Sequence, residues 1–283
     1  MKKSSILAAS LLGLVLFHPP SAWATDYSMR ILNGVAVPGF AESINRDGTI
    51  FGNSSLPELQ IFLWNENSGI ANLRNGNIYI GVNNLGQTAG SITNGNTGHI
   101  HPRIRSADGR LTEYEIPDGA SSAWPSSLSN SGQLGCTVEY RDSANNLDHH
   151  EAVLYEADGS LTPIPLGDSL LAEVVGISGV GYVVVRATSV DSPQRTTDYI
   201  WKIGAGFIEL MPRSGSTDTR ATSITDKGLI VGNSGGHAVW WDLLGLPHDL
   251  GPGEFHAANS LDQIVGVSAM GFPTLWDLSL IHI

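Results

Sequence analysis

The amino-acid sequence predicts an all-β fold, a β-propeller of about six four-stranded blades, and three observations carry that prediction. One nine-residue frame recurs six times along the chain. Further apolar runs of strand type follow the copies, and the copies are spaced by 34 to 49 residues. With 33 glycines and no obvious helical segment, the chain offers turns and strands rather than helices.

The six copies are Ile44 to Gly52, Val82 to Gly90, Leu128 to Cys136, Ile177 to Val185, Ile224 to Gly232 and Ala258 to Gly266. Each reads apolar, then Asn, Ser or Thr, then two turn residues, then usually Gly, then a β-rich run that usually ends in Gly. The second column is Asn45, Asn83, Ser129, Ser178, Thr225 and Asn259, whose side chains can bond the backbone two residues on. The fifth column is Gly48, Gly86, Gly132, Gly181 and Gly228, with Asp262 in the last copy. Gly there takes the left-handed conformation that closes a three-residue hairpin loop with a bulge, and Asp visits positive φ more readily than most residues. Two strands are therefore expected to flank every copy.

A third apolar run follows, ending in an aromatic residue or its substitute: Trp64, Tyr155, Trp201, Trp241 and Trp276, with Arg103-Ile104-Arg105 the weakest instance. A fourth short run is seen at Ile70–Leu73, Leu111–Tyr114, Leu161–Ile164 and Phe207–Leu210. Four strands per repeat make a propeller blade, and the spacing is too long for a leucine-rich or β-helix coil. The run Tyr27–Leu32 matches the fourth-strand type. It is expected to compete with Leu280–Ile283 for the closing place in the last blade.

Met1-Lys2-Lys3, an apolar run from Ile6 to Phe17 and the small-residue pattern Ala22-Trp23-Ala24 read as a secretory signal cleaved after Ala24. The apolar run falls short of the roughly 20 residues that a membrane helix needs, so no membrane span is expected. The expected organisation is a signal peptide over 1–24 and one repeat domain over 25–283, secreted or periplasmic. Removing Lys2 and Lys3 leaves 13 basic against 27 acidic residues, spread along the chain, which disfavours nucleic acid as a partner. The single Cys136 excludes an intramolecular disulfide, and its place in an apolar or glycine column marks it as a buried structural thiol.

With these residues in view, the repeats resemble those of the HAF family of bacterial extracellular repeat proteins. That unit couples an Ile-Asn-x-x-Gly turn and Val-Gly to a His-Ala-Phe-Trp-like strand and an Asp-Leu-Gly ending. The fifth repeat carries the likeness best, in Ile224-Thr225, Gly228, Val231-Gly232, His237-Ala238-Val239-Trp240 and Asp249-Leu250-Gly251. The name-giving His is replaced by Gln60, Glu151, Thr197 and Phe272 in other repeats, which argues against a repeated catalytic or metal site. The resemblance implies export and a propeller-like fold, and no reaction.

Two motifs invite a chemical reading. Gly232-Asn233-Ser234-Gly235-Gly236 matches the Gly-x-Ser-x-Gly elbow, but the elbow needs a helix directly after the serine and a strand is expected at His237. His149-His150-Glu151 offers metal-ligand types, yet neighbouring strand residues point to opposite faces and the spacing fits no zinc pattern. No nucleotide loop or EF-hand is present, so no cofactor and no metal site are expected.

Loops on a rigid scaffold are where binding is usually built. The first-to-second-strand turns are uniformly tight. Longer inserts, Thr137 to His150 and Ala187 to Thr196, fall on the opposite face together with the connectors near Trp124, Arg213 to Arg220 and Glu254 to His256. The ligand-binding candidates on that face are Trp124, Tyr140, Arg141, His149, Arg195 and Arg220. A binding or scaffold module for an unidentified protein, glycan or surface polymer is the first functional expectation. The alternative is an exported polysaccharide hydrolase or lyase whose acids come from several blades.

Overall fold

Every copy of the frame forms the hairpin its turn chemistry requires. In the computed structural model, Gly48, Gly86, Gly132, Gly181 and Gly228 have φ between 71° and 93°, and Asp262, at φ 61°, is the one non-glycine residue with positive φ among those described. The Asn45 side chain accepts from the N–H groups of Asp47 and Thr49 at 3.1 and 2.9 Å, and Asn83 and Asn259 do the same in their copies. Ser129, Ser178 and Thr225, one atom shorter, accept from the residue four positions on. The structure describes residues 39–54, 60–73, 79–142, 147–167, 169–189, 196–259 and 261–278. All belong to one compact unit, Asn33–Ile283.

The first repeat is the meander β1 (Gly39–Ile44), β2 (Ile50–Ser54), β3 (Gln60–Asn65) and β4 (Gly69–Leu73). The second is β5 (Tyr79–Val82), β6 (Thr88–Thr93), β7 (Ile100–Arg105) and β8 (Leu111–Glu113). The third is β9 (Ser122–Leu128), β10 (Leu134–Asp142), β11 (Leu147–Tyr155) and β12 (Leu161–Pro163). The fourth is β13 (Ser169–Ile177), β14 (Val183–Ser189), β15 (Thr196–Lys202) and β16 (Gly206–Glu209). The fifth comprises β17 (Arg220–Ile224), β18 (Ile230–Ser234), β19 (His237–Trp241) and the start of β20 (Pro247–Ala258), whose second half opens the sixth repeat with β21 (Gln263–Ser268) and β22 (Pro273–Asp277). The described part of the sixth repeat therefore has three strands, and no ladder joins it to the first repeat among the described residues. Tyr27–Leu32 and Leu280–Ile283, the expected closing runs, lie outside the described residues, as does the signal segment 1–24.

The apolar core lies between successive sheets. Ala89, Ile104 and Tyr114 pack on Leu134, Cys136 and Val153, and Ala152 and Leu154 on Val174, Val183 and Trp201. Val184 and Ile200 pack on Ile230, Val239 and Trp241, and Val231 and Ala238 on Phe255 and Ile264. Alternation along each strand sends one set of side chains to the preceding sheet and the other to the following one, so the inner sheets are buried on two faces, while Val265 and Leu275 on the outward face of the sixth are about half exposed. Cys136 is fully buried, and burial pushes its thiol well above the ordinary value. It is a packing residue.

At Gly232 and Gly266 the glycine that ends the frame has a reason that a turn argument does not supply. The first strand of every repeat carries a register shift at the same place, skipping Glu42, Ile80, Ser126, Val175, Thr222 and His256 in turn. This bulge presses the inner backbone against the strand beside it. A Cβ on Gly232 would run into the Arg220 carbonyl, and one on Gly266 into the Glu254 carbonyl.

Neighbouring sheets are stapled by different means. One parallel bridge joins the second repeat to the third at Ile100 and Ser122, and another joins the third to the fourth at His150 and Leu171. From the fourth to the fifth, side chains replace the bridge. Arg186 bonds Asp198 through Nε and Nη2 at 2.8 and 3.2 Å and reaches the Ala221 carbonyl at 2.8 Å, while Asp198 accepts the Ala221 N–H. In the next repeat Asn233 grips the backbone N–H and C=O of Phe255, at 2.8 and 3.4 Å.

Candidate functional site

The turns between first and second strands lie on one face of the repeat array, and their sides converge on a cavity of about 540 Å³. Its walls are the ends of the inner strands, including Ile44, Leu128, Ile177, Ile224 and Ala258, and its polar groups include Asn45, Arg46, Asn84, Ser129, Asn130, Thr225, Asp226 and Asn259. Residues of all six repeats contribute. A ring of this kind follows from the frame, because each repeat delivers the same turn to the same radius.

A hydrogen-bond relay runs around the opening. The Asn45 amide donates to the Asn83 carbonyl at 3.0 Å, and the Asn83 amide to the Ser129 carbonyl at 2.9 Å. One position on, the N–H of Arg46 donates to the Asn84 side chain and that of Asn84 to the Asn130 side chain, at 2.8 and 2.6 Å. The relay then skips the fourth repeat, where the column holds Gly179. The Asn130 amide reaches over it to Asp226 Oδ2 at 2.7 Å, and a Cβ on Gly179 would meet the Asp226 carboxylate at 3.0 Å. Gly179 thus clears the space that lets the fifth repeat bond the third.

Among the described residues lining the cavity, Asp226 is the one carboxylate and Arg46 the one guanidinium, and the remaining polar groups are amides and hydroxyls. Such a surface recognises hydroxyl and amide groups. The third frame column that builds the relay reads Arg46, Asn84, Asn130, Gly179 and Asp226, and sequence reasoning treated it as variable turn material. The available signal was its run of Asn and Asp in side-by-side repeats.

The candidates taken from the longer inserts are placed as follows. The described parts of the insert Thr137 to His150, up to Asp142 and from Leu147, extend the strands β10 and β11. Tyr140 and His149 are register partners with ring centroids 5.9 Å apart, and His149 Nε2 lies 3.1 Å from Glu151. Burial and the neighbouring Glu151 carboxylate push the Tyr140 hydroxyl above its ordinary value. Arg141 turns to the other face of the sheet and bonds Glu139 at 2.9 Å. Trp124, half-buried on β9 opposite Thr137, shares that second face. Arg220 is exposed at the start of β17 in a different repeat. The structure brings Tyr140 and His149 together, and Arg195 lies outside the described residues.

The serine motif is a structural joint. Ser234 is fully buried, its hydroxyl donating to the Asp218 carbonyl at 2.6 Å and accepting from the Arg213 N–H at 3.1 Å. Asn233 is the staple described above. The His and Asp of the HAF-like repeat pair with each other across β19 and β20, His237 Nδ1 lying 2.8 Å from Asp249 Oδ1. Among the described residues no group of three or more His, Cys, Asp or Glu is disposed to hold a metal ion, and no helix is long and apolar enough to cross a membrane.

Three solved structures resemble this architecture. An acylaminoacyl peptidase is similar at 12% identity with a TM-score of 0.53, over 81% of this chain and 41% of that one. A catalytically inactive virginiamycin B lyase from Staphylococcus aureus, bound to quinupristin, is similar at 13% identity and a TM-score of 0.50, over 82% of this chain and 78% of that one. The β-propeller domain of the Trilobed protease from Pyrococcus furiosus, described as having an open velcro topology, matches at 9% identity and a TM-score of 0.42, over 84% of this chain and 94% of that one. The fold is of the β-propeller type. At these identities the likeness speaks for fold alone. No protein-family model and no curated protein matches the chain.

Proposed function

We propose that the protein is an exported binding module, a six-bladed propeller of HAF-type repeats that holds a glycan at the opening where its tight turns converge. The observation that carries this reading is the composition of the opening: among the described residues, amides and hydroxyls from five of the six repeats, one guanidinium, and a single carboxylate already held by Asn130. Apolar walls below a polar rim suit a sugar, whose faces are apolar and whose edge is hydroxylated. Export is supported by the segment before residue 25. Ring closure belongs to the same proposal, and on sequence grounds Tyr27–Leu32 and Leu280–Ile283 compete for the closing place.

A glycan array followed by calorimetry tests the reading. Asn84→Ala and Asn130→Ala are expected to weaken binding at least tenfold without lowering the melting temperature by more than a few degrees. If no glycan binds, or if both variants bind as the parent does, the opening is not the site.

A further inference from the structure

Outside the opening, the second repeat departs from the repeat pattern in a way that its neighbours do not. The face that meets the preceding sheet is apolar in the third to fifth repeats, with Leu134 and Tyr155, Val183 and Trp201, and Ile230 and Trp241 in two of its columns. In the second repeat those columns hold Thr88 and Arg105, and Arg103 and His101 follow on the same face. Thr88 is fully buried and its hydroxyl has no hydrogen-bond partner; His101 is 7% exposed and its Nδ1 has none either. Orphaned buried polar atoms each cost about 1–3 kcal/mol, so a protein retains them for a reason.

His101 Nδ1 faces two carboxylates, Glu113 Oε1 at 3.7 Å and Glu115 Oε2 at 3.9 Å, both too distant for a direct bond. Glu115 is almost fully exposed and Glu113 half-exposed, so the buried ring looks out past them to solvent. The same two acids edge a groove of about 610 Å³ that also carries Asp118 and Asp158, has Tyr114 and Tyr155 at its side, and has no basic residue among the described residues of its lining. The tautomer with hydrogen on Nε2 leaves Nδ1 an acceptor. In that tautomer three acceptors stand together, and among the described residues none donates to Nδ1.

The geometry points to a binding site for a primary ammonium group, held between His101 Nδ1, Glu113 and Glu115 with the rest of its molecule along the acidic groove. An ammonium has three hydrogens and no acceptor, which suits a set of three acceptors; groups about 2.9 Å from one nitrogen stand roughly 4–5 Å from each other, so the exposed Glu113 and Glu115 side chains, 3.7 and 3.9 Å from Nδ1, swing slightly outward to admit it. The set is not disposed to hold a metal ion. Two carboxylates supply the charge, and the buried imidazole supplies a neutral acceptor that water does not already satisfy. Two sources carry such a group in an extracellular setting, a de-acetylated amino sugar and a lysine side chain.

The test titrates the purified protein with a glucosamine tetramer, its fully N-acetylated counterpart, and tri-lysine. Binding of the glucosamine tetramer or of tri-lysine, lost at least tenfold on acetylation and at least tenfold in Glu113→Gln and Glu115→Gln, establishes the site, and the tighter of the two ligands names the source. His101→Gln is expected to weaken binding as well. Glu254→Gln, which removes one charge from the sixth repeat, is expected to leave it unchanged. Equal affinity for the acetylated tetramer, unchanged binding in the Glu113→Gln/Glu115→Gln double variant, an equal loss in Glu254→Gln, or no binding of either amine overturns the proposal. The opening between the tight turns is not involved, so Asn84→Ala separates the two sites.

Discussion

The junction between the first and second repeats and those between the third and sixth are built on one frame with different chemistry. In the later junctions apolar columns interlock, and the last two are fastened by Arg186 with Asp198 and by Asn233. In the first, among the described residues, the buried Phe51 and Leu73 face a sheet that presents Thr88, His101 and Arg103. Repeat proteins are stabilised by the sum of their neighbour interfaces. A weak interface retained in one place shows where a requirement other than packing has acted.

The largest effect is expected at the strongest junction. Asp198→Ala strands the Arg186 guanidinium and the Ala221 N–H, and is expected to cost about 3–5 kcal/mol in urea unfolding. Burial pushes the Asp198 carboxyl up while Arg186 and the Ala221 N–H pull it back, so its charge depends on those partners. A loss below about 1 kcal/mol would remove the staple from this account. Gly266→Ala is expected next, at about 1–3 kcal/mol, because the added methyl meets the Glu254 carbonyl across the bulge.

At the weak junction the sign reverses. Thr88→Val keeps the shape and removes the orphaned hydroxyl, and is expected to stabilise the protein by about 1 kcal/mol, read from the urea midpoint. Hydrogen exchange should rank the regions directly: amides of β2 and β3 are expected to exchange before those of β14, β18 and β19. The reverse order would show that the polar junction is not the weak one.

The smallest effect concerns His237 and Asp249. Partial burial pushes the Asp249 carboxyl up, but the Gly251 N–H, His237 and Arg213 together draw it below the usual carboxylate range. A folded-state value below the unfolded one means that its contribution is present above the unfolded carboxylate range and fades as pH falls through the lowered value. Solvent screening keeps it under about 1 kcal/mol. Asp249→Asn is expected to flatten the acid side of the melting-temperature profile by that amount and leave neutral pH little changed.

Much of the fold was legible in the chain because its signals are local. Asn45 and Gly48, or Asn259 and Asp262, close their own turn with atoms from four or five consecutive residues, so the pattern predicts the hairpin without knowledge of neighbours. The aromatic column is equally readable, since Trp64, Trp201, Trp241 and Trp276 sit opposite the same frame position in every ladder. The terminal glycines Gly232 and Gly266 were visible, but their cause was not: the bulged backbone that leaves no room for a side chain there lies on the strand before each.

By itself, then, the sequence determined the repeat, the four-strand meander and the placement of its turns, because backbone conformation answers to residues a few positions apart. Only the tertiary structure decided that Gly179 yields to Asp226, that Asn233 and Asp198 fasten sheets, and that His101 looks out at two carboxylates. Those relations join residues 12 to 47 positions apart, and what settles them is which side chains share a face once the sheets are packed.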